Sequence, residues 1–212
     1  AISLLGFKTL GNLVITASMQ QFYGGFSLFD KMLWEHSVGA AVTTAYLSTE
    51  FKLLKPDEVM VAGLLHDIGK TIISQSKREE YNTIAQKVYN DNISYFEAES
   101  EILGFTHCDV GSYLVQKWNF PIELGKVIYY HHRLDEIDPE GMDTFQVKTI
   151  ALVDIANQMM HRLGIGYRTP IENLDLTKLK SLQLINLTLE EEYVNDLLER
   201  VKDSIEEEKG KF

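Results

Sequence analysis

Apolar positions recur at three- and four-residue intervals along most of the chain, and the elements they predict are helices. Ile2, Leu4, Leu5, Leu10, Leu13, Val14 and Met19 fall near helical spacing, interrupted by Gly6 and Gly11, and predict one or two packed helices. Tyr23-Gly24-Gly25 is a break. A long helix is expected from Phe29 to about Leu54, with Leu33, Val38, Ala41, Ala45 and Leu47 on or near its apolar stripe. Pro56 opens the next helix, with Asp57 and Glu58 suited to its positive end. That helix runs into His66-Asp67, and Gly69 is where it is expected to stop. A polar helix covers Ser76 to Asn90, and a shorter one around Phe96 to Leu103 ends at Gly104. Thr106 predicts an N-cap for a helix starting at His107, with Asp109 in its first turn. Ile122 to Tyr130 predicts a helix ending in His131-His132, and Arg133 to Asp143 a polar surface loop. Thr144 to Leu163 is an apolar helix closed by Gly164 and Gly166. Leu174 to Ile185 and Leu189 to Ile205 predict two more amphipathic helices, the last acidic and frayed after Glu206. No set of alternating strands or hairpin turns stands out, so the fold class is all-α.

Composition narrows the function more than the fold. Of 212 residues, 45% are hydrophobic and 24% charged, which describes an ordinary globular protein. A net charge of −11 argues against a nucleic-acid-binding surface, which carries a basic stripe. Much of the acidity is in Glu190, Glu191, Glu192, Glu206, Glu207 and Glu208, the face of a solvated helix. The single Cys108 excludes an intrachain disulfide and points to a reducing compartment. Apolar runs are too short to cross a bilayer and no signal peptide is visible, so a cytoplasmic protein with no membrane contact is expected. The chain opens at Ala1, already inside an apolar pattern, which predicts a fragment whose start lies upstream.

The chemistry centres on Leu64-Leu65-His66-Asp67-Ile68-Gly69-Lys70. A neutral imidazole beside a carboxylate suits a divalent cation that accepts mixed nitrogen and oxygen ligation. Adjacent helical residues diverge by about 100°, so both reach one ion only beyond a helix end or between helices. Five of the six histidines, His36, His66, His107, His131 and His132, fall in helix interiors or at helix ends, and Asp67 and Asp154 join them. Each alone has a plainer explanation: a satisfied core histidine for His36, a helix-capping or paired carboxylate for Asp154, a C-terminal pair favoured by the helix dipole for His131-His132. His161 has no partner pattern and reads as ordinary surface.

Together they form an ordered series: His, then His-Asp, then His, then His-His, then Asp, one element per helix. This series resembles the HD superfamily of metal-dependent phosphohydrolases, and most closely the HDOD branch, the HD-related output domains of bacterial signalling proteins. The resemblance is carried by Trp34-Glu35-His36-Ser37, by Gly63 to Lys70, and by Glu101-Ile102-Leu103-Gly104 leading to His107. It continues through Val110-Gly111, Trp118-Asn119-Phe120-Pro121 and His131-His132. It implies a single helical domain over 1–165, a multi-helix bundle with a metal site between helices and its N-terminal part missing, followed by a helical extension over 166–212. It also implies that His36, His66, Asp67 and Asp154 hold one divalent metal, and that His107, His131 and His132 complete a second site bridged by Asp67. Fe, Mn, Zn and Ni all suit such ligands. Lys70, about one turn past His66, would stabilise phosphate charge if the helix continues past Gly69, and is otherwise a solvated lysine at a helix C-terminus.

One departure bears on activity. HD-GYP cyclic di-GMP phosphodiesterases carry a Gly-Tyr-Pro signature shortly after the His-His pair. Here that stretch, Arg133 to Met142, has none, and Gly166-Tyr167 is followed by Arg168. Two functions follow from the resemblance: a signalling module that binds metal and works through a protein partner or other domains of a larger protein, or a phosphohydrolase acting on a nucleotide or other phosphorylated small molecule, with Asp67 and Lys70 catalytic. A helical scaffold whose histidines only pack or cap is the third.

Overall fold

Ten α-helices run through the described residues, 28–166 and 169–208 of a computed structural model, and no strand occurs among them. The expected helices before Phe29 and the Gly24-Gly25 break lie outside the described residues. Helix α1 (Leu28–Glu50) has no single apolar stripe, because it is enclosed on most sides. Its small residues Ser37, Gly39, Ala40, Ala41, Thr43 and Thr44 are all buried and let neighbouring helices approach closely. Helix α2 (Pro56–Leu65) packs along it, with Pro56 at the first turn where a missing N–H costs nothing.

The chain then turns at once into α3 (Ile68–Ser76), so that His66 caps one helix and Asp67 begins the next. Gly69 does not end a helix. It lies inside α3, where a Cβ would sit 2.0 Å from the carbonyl oxygen of His107, so the glycine permits close approach of two backbones. Helices α4 (Arg78–Asp91) and α5 (Tyr95–Leu103) form a small lobe around Ile73, Tyr81, Ile84 and Ala98. A capping box at Ser94 and a left-handed Gly104 fix the ends of α5. Helix α6 (His107–Lys117) starts from the Thr106–Asp109 capping box, and α7 (Ile122–Tyr130) packs against it and ends at His131.

Helix α8 (Thr144–Leu163) has the bounds its sequence predicts, from an Asp143 cap to a left-handed Gly164. The helix expected over Leu174 to Ile185 is instead a 3-10 turn (Leu176–Lys178) and a short α9 (Lys180–Leu184), separated by an extended Leu179. That break lets Leu176 and Leu182 both reach the core. Helix α10 (Glu191–Glu208) continues past Glu206, with Val194, Leu197, Leu198, Val201 and Ile205 on its buried face. These join Leu33, Leu47, Leu152 and Met159 in one apolar cluster. No described helix is long and apolar enough to cross a membrane.

Candidate metal centre

Four chain segments converge on the site around Asp67. His36 comes from the middle of α1, His66 and Asp67 from the α2–α3 turn, His107 from the first residue of α6, and His131 and His132 from the end of α7. The turn after Leu65 resolves the divergence of neighbouring helical residues, since His66 and Asp67 belong to different helices. Asp67 Oδ2 lies 3.5 Å from Nε2 of both His36 and His66. Oδ1 lies 3.2 Å from His107 Nε2 and 3.6 Å from His131 Nε2. One ligand atom each from Asp67, His107, His131 and His132 falls within 4.8 Å of the others, and the same holds for His36, His66 and Asp67.

The outer ring nitrogens explain why the inner ones face the carboxylate. His66 Nδ1 donates to the Gly63 carbonyl at 2.7 Å, and His131 Nδ1 to the Ile128 carbonyl at 2.7 Å. His36 Nδ1 donates to the Ile165 carbonyl at 3.3 Å, and His107 Nδ1 to Glu99 Oε2 at 2.6 Å. A carbonyl only accepts, so each of these rings carries its Nδ1 proton outward and presents Nε2 to the centre, the pattern of metal-ligating histidines. The Nε2 atoms of His66, His107 and His131, and Asp67 Oδ1, are buried without a hydrogen-bond partner. Buried polar atoms are rarely left so, and a bound cation is a ready explanation. The donor set and its burial therefore fit a divalent metal.

Burial pushes the His36 and His66 imidazoles down to about 3, against the raising effect of Asp67. Burial also opposes charge on His107 and His131, but Cys108 and the nearby carboxylates outweigh it, raising His107 well above its ordinary value and His131 to about 9. Burial alone would raise the Asp67 carboxyl; His66, Lys70, His107 and His131 hold it well below the carboxylate range.

Lys70 is in the site rather than in solvent. It is buried on α3, and its Nζ donates to Asp67 Oδ2 at 2.6 Å and lies 5.4 Å from the Tyr95 ring centroid. Asp154 is buried on α8 but stands outside both groups of ligand atoms. Its carboxylate turns along its own helix to accept from Gln158 at 3.2 Å, and burial raises its pKa. His161 is not surface: it is half-buried, edge-on to His36 at 5.8 Å, and within 3.1 Å of Asn157 Oδ1. Glu99 was not anticipated from sequence. It is fully buried, accepts from both the backbone N–H and Nδ1 of His107 at 2.6 Å, and takes a long hydrogen bond from Tyr81. A small cavity of about 40 Å³ opens beside Asp67 and Lys70, walled by Phe29, Met32, Tyr95 and His36.

An all-helical bundle that gathers histidines around a His-Asp turn defines an HD-like domain. The HDOD domain family model matches residues 1–134, and the chain belongs to that family. Solved structures share the fold. An HDOD domain protein of unknown function from Geobacter sulfurreducens superimposes with a TM-score of 0.75 at 23% identity, covering 97% of this chain and 70% of that one. A candidate phosphohydrolase from Shewanella amazonensis SB2B gives 0.68 at 23% identity, over 97% and 73% of the two chains. A candidate signal transduction protein from Marinobacter aquaeolei VT8 gives 0.69 at 17% identity, over 97% and 45%. Among curated proteins, an uncharacterized protein of Treponema pallidum (strain Nichols) is 22% identical over 193 residues. The match spans 89% of this chain and 36% of that relative's length.

Proposed function

We propose that the chain is a regulatory HDOD module whose buried His-Asp cluster holds one or two divalent ions and which acts through contacts with a protein partner or with other domains of a larger protein. His36, His66, Asp67, His107, His131 and His132 supply the ligands, and Asp154 is the reserve ligand that would have to leave Gln158 to join them. The ion braces four helices at once and satisfies the inward-facing Nε2 atoms. The observation that carries the module reading over an enzyme is the space at the site. Small-molecule sites are typically about 300–1,000 Å³, whereas the described cavity beside Asp67 is about 40 Å³.

A second reading, a metal-dependent phosphohydrolase acting on a nucleotide or other phosphoester, draws on Lys70. Its ammonium lines that cavity next to Asp67, where it would meet a phosphoryl oxygen. A metal bound there would supply Lewis acidity and an activated water. The two readings separate in one experiment. Protein purified without chelator is analysed for metal, then assayed on a panel of phosphoesters and cyclic dinucleotides with Asp67→Ala as control. The module reading expects bound metal and no turnover. Metal-dependent turnover that disappears in Asp67→Ala overturns it in favour of the enzyme, and absence of metal overturns both.

A further inference from the structure

The two oxygens of Asp67 face unequal surroundings. Oδ2 serves the His36–His66 side but already accepts from the Lys70 ammonium at 2.6 Å. Oδ1 serves the His107–His131–His132 side and carries no hydrogen bond. The second side offers three imidazoles and a carboxylate oxygen, enough for a tetrahedral ion, while the first offers two imidazoles and an oxygen already paired with a cation. An ion on Oδ2 would also repel the ammonium beside it, an interaction poorly screened at this depth.

Glu99 adds a second, independent asymmetry. The Nδ1 atoms of His36, His66 and His131 donate to neutral carbonyls, but that of His107 donates to a buried carboxylate. A carboxylate acceptor fixes the ring and makes its other nitrogen the more basic ligand. The grip is double, since the same Glu99 oxygen also accepts from the His107 backbone N–H. Its carboxylate belongs to α5, which otherwise packs in the Tyr81–Ile84 lobe, so the lobe sets the orientation of one ligand.

Resting on the metal-binding reading above, we infer that a divalent ion fills the His107–His131–His132–Asp67 Oδ1 pocket first, that Glu99 is the positioning residue for this ion, and that Lys70 stands in for a second cation on Oδ2. The two pockets thus differ in affinity, and release of Lys70 from Asp67 is what opens the second to metal.

The test is Co(II) and Mn(II) titration of the metal-free full chain, read by visible absorption, EPR and equilibrium dialysis. Wild type is expected to bind one tight ion and a second, weaker one. Glu99→Gln keeps the shape but removes the charge, and should weaken the tight site by about 10–100-fold with an altered Co(II) spectrum. Lys70→Met should tighten the weak site by about tenfold or more. His36→Ala and His107→Ala form an independent pair that leaves α5 untouched: the tight ion survives the first and is lost in the second. Two ions of equal affinity in wild type, an unchanged tight site in Glu99→Gln protein that is folded by circular dichroism, or a tight ion that survives His107→Ala overturns this order of filling while leaving the metal reading intact. If wild type binds no ion, the metal reading fails and this inference with it.

Discussion

Leu47, Leu152, Met159 and Leu197 in the apolar core are buried as deeply as His66, Asp67, His107 and His131 around the candidate metal centre. The first group is held by close packing and hydrophobic burial, and its side chains carry no polar atom that needs a partner. The second group has been carried out of water with atoms that lack partners, which costs stability unless something binds them. A fold that keeps such a cluster at its centre is spending stability on a site. The comparison also separates two kinds of sensitivity: the apolar core should answer to volume, and the cluster to protons and ions.

Acid should have the largest effect. The buried imidazoles of His36 and His66, ordinarily near 6.5, are held near 3. A depressed pKa means the unfolded chain binds the proton first. Their contribution is therefore intact above pH 6.5 and is lost as pH falls toward 3, at about 1.4 kcal/mol per pH unit for each ring. By about pH 4 the sum rivals a total stability of about 5–15 kcal/mol. His131 has the opposite sign: raised to about 9, it stabilises below 6.5 and loses that contribution as pH rises toward 9. Thermal melts of metal-free protein should peak near neutrality and drop steeply in acid. A melting temperature flat down to pH 5 would contradict the buried neutral histidines.

Leu197→Ala probes the other region. Leu197 is 1% exposed, and its truncation should cost about 2–5 kcal/mol in chemical denaturation. Metal content per folded molecule should not change; a parallel loss of metal would mean the two regions are not separable. The smallest effect is expected at the rim, where Arg200 reaches Glu50 at 2.9 Å and Asp196 at 2.9 Å in partial exposure. Arg200→Ala should cost less than about 1 kcal/mol, and less again in high salt.

Helix bounds were legible where a cap announces them. Thr106, Gly104, Asp143 and Gly164 each do locally what their residue type favours, so α6, the end of α5 and both ends of α8 follow from sequence. The histidines and Asp67 were legible as a set because their order along separate helices is unusual, although no single one is informative. Glu99 was hidden among Glu97 and Glu101 on one short acidic helix, and only the packing of α5 against its neighbours buries the middle one. Gly69 shows a similar limit. A glycine after an apolar helix signals a stop, but the same residue also serves close approach, and the partner backbone at His107 is thirty-eight residues away in sequence. Leu179 broke a predicted helix because burying Leu176 and Leu182 together outweighed continuous helical hydrogen bonding.

The acceptor for His36 differs in kind from those of the other rings. Gly63 and Ile128 belong to helices and Glu99 to a helix side chain, whereas Ile165 lies in the turn that follows α8. Gly166, beside it, presses so closely on His36 that a methyl group there would fall 2.5 Å from the His36 Cβ. The aim of this one imidazole is thus set by a bend at the close of the bundle. Displacing that bend would swing the ring away from Asp67 without disturbing any of the helices that carry the remaining ligands.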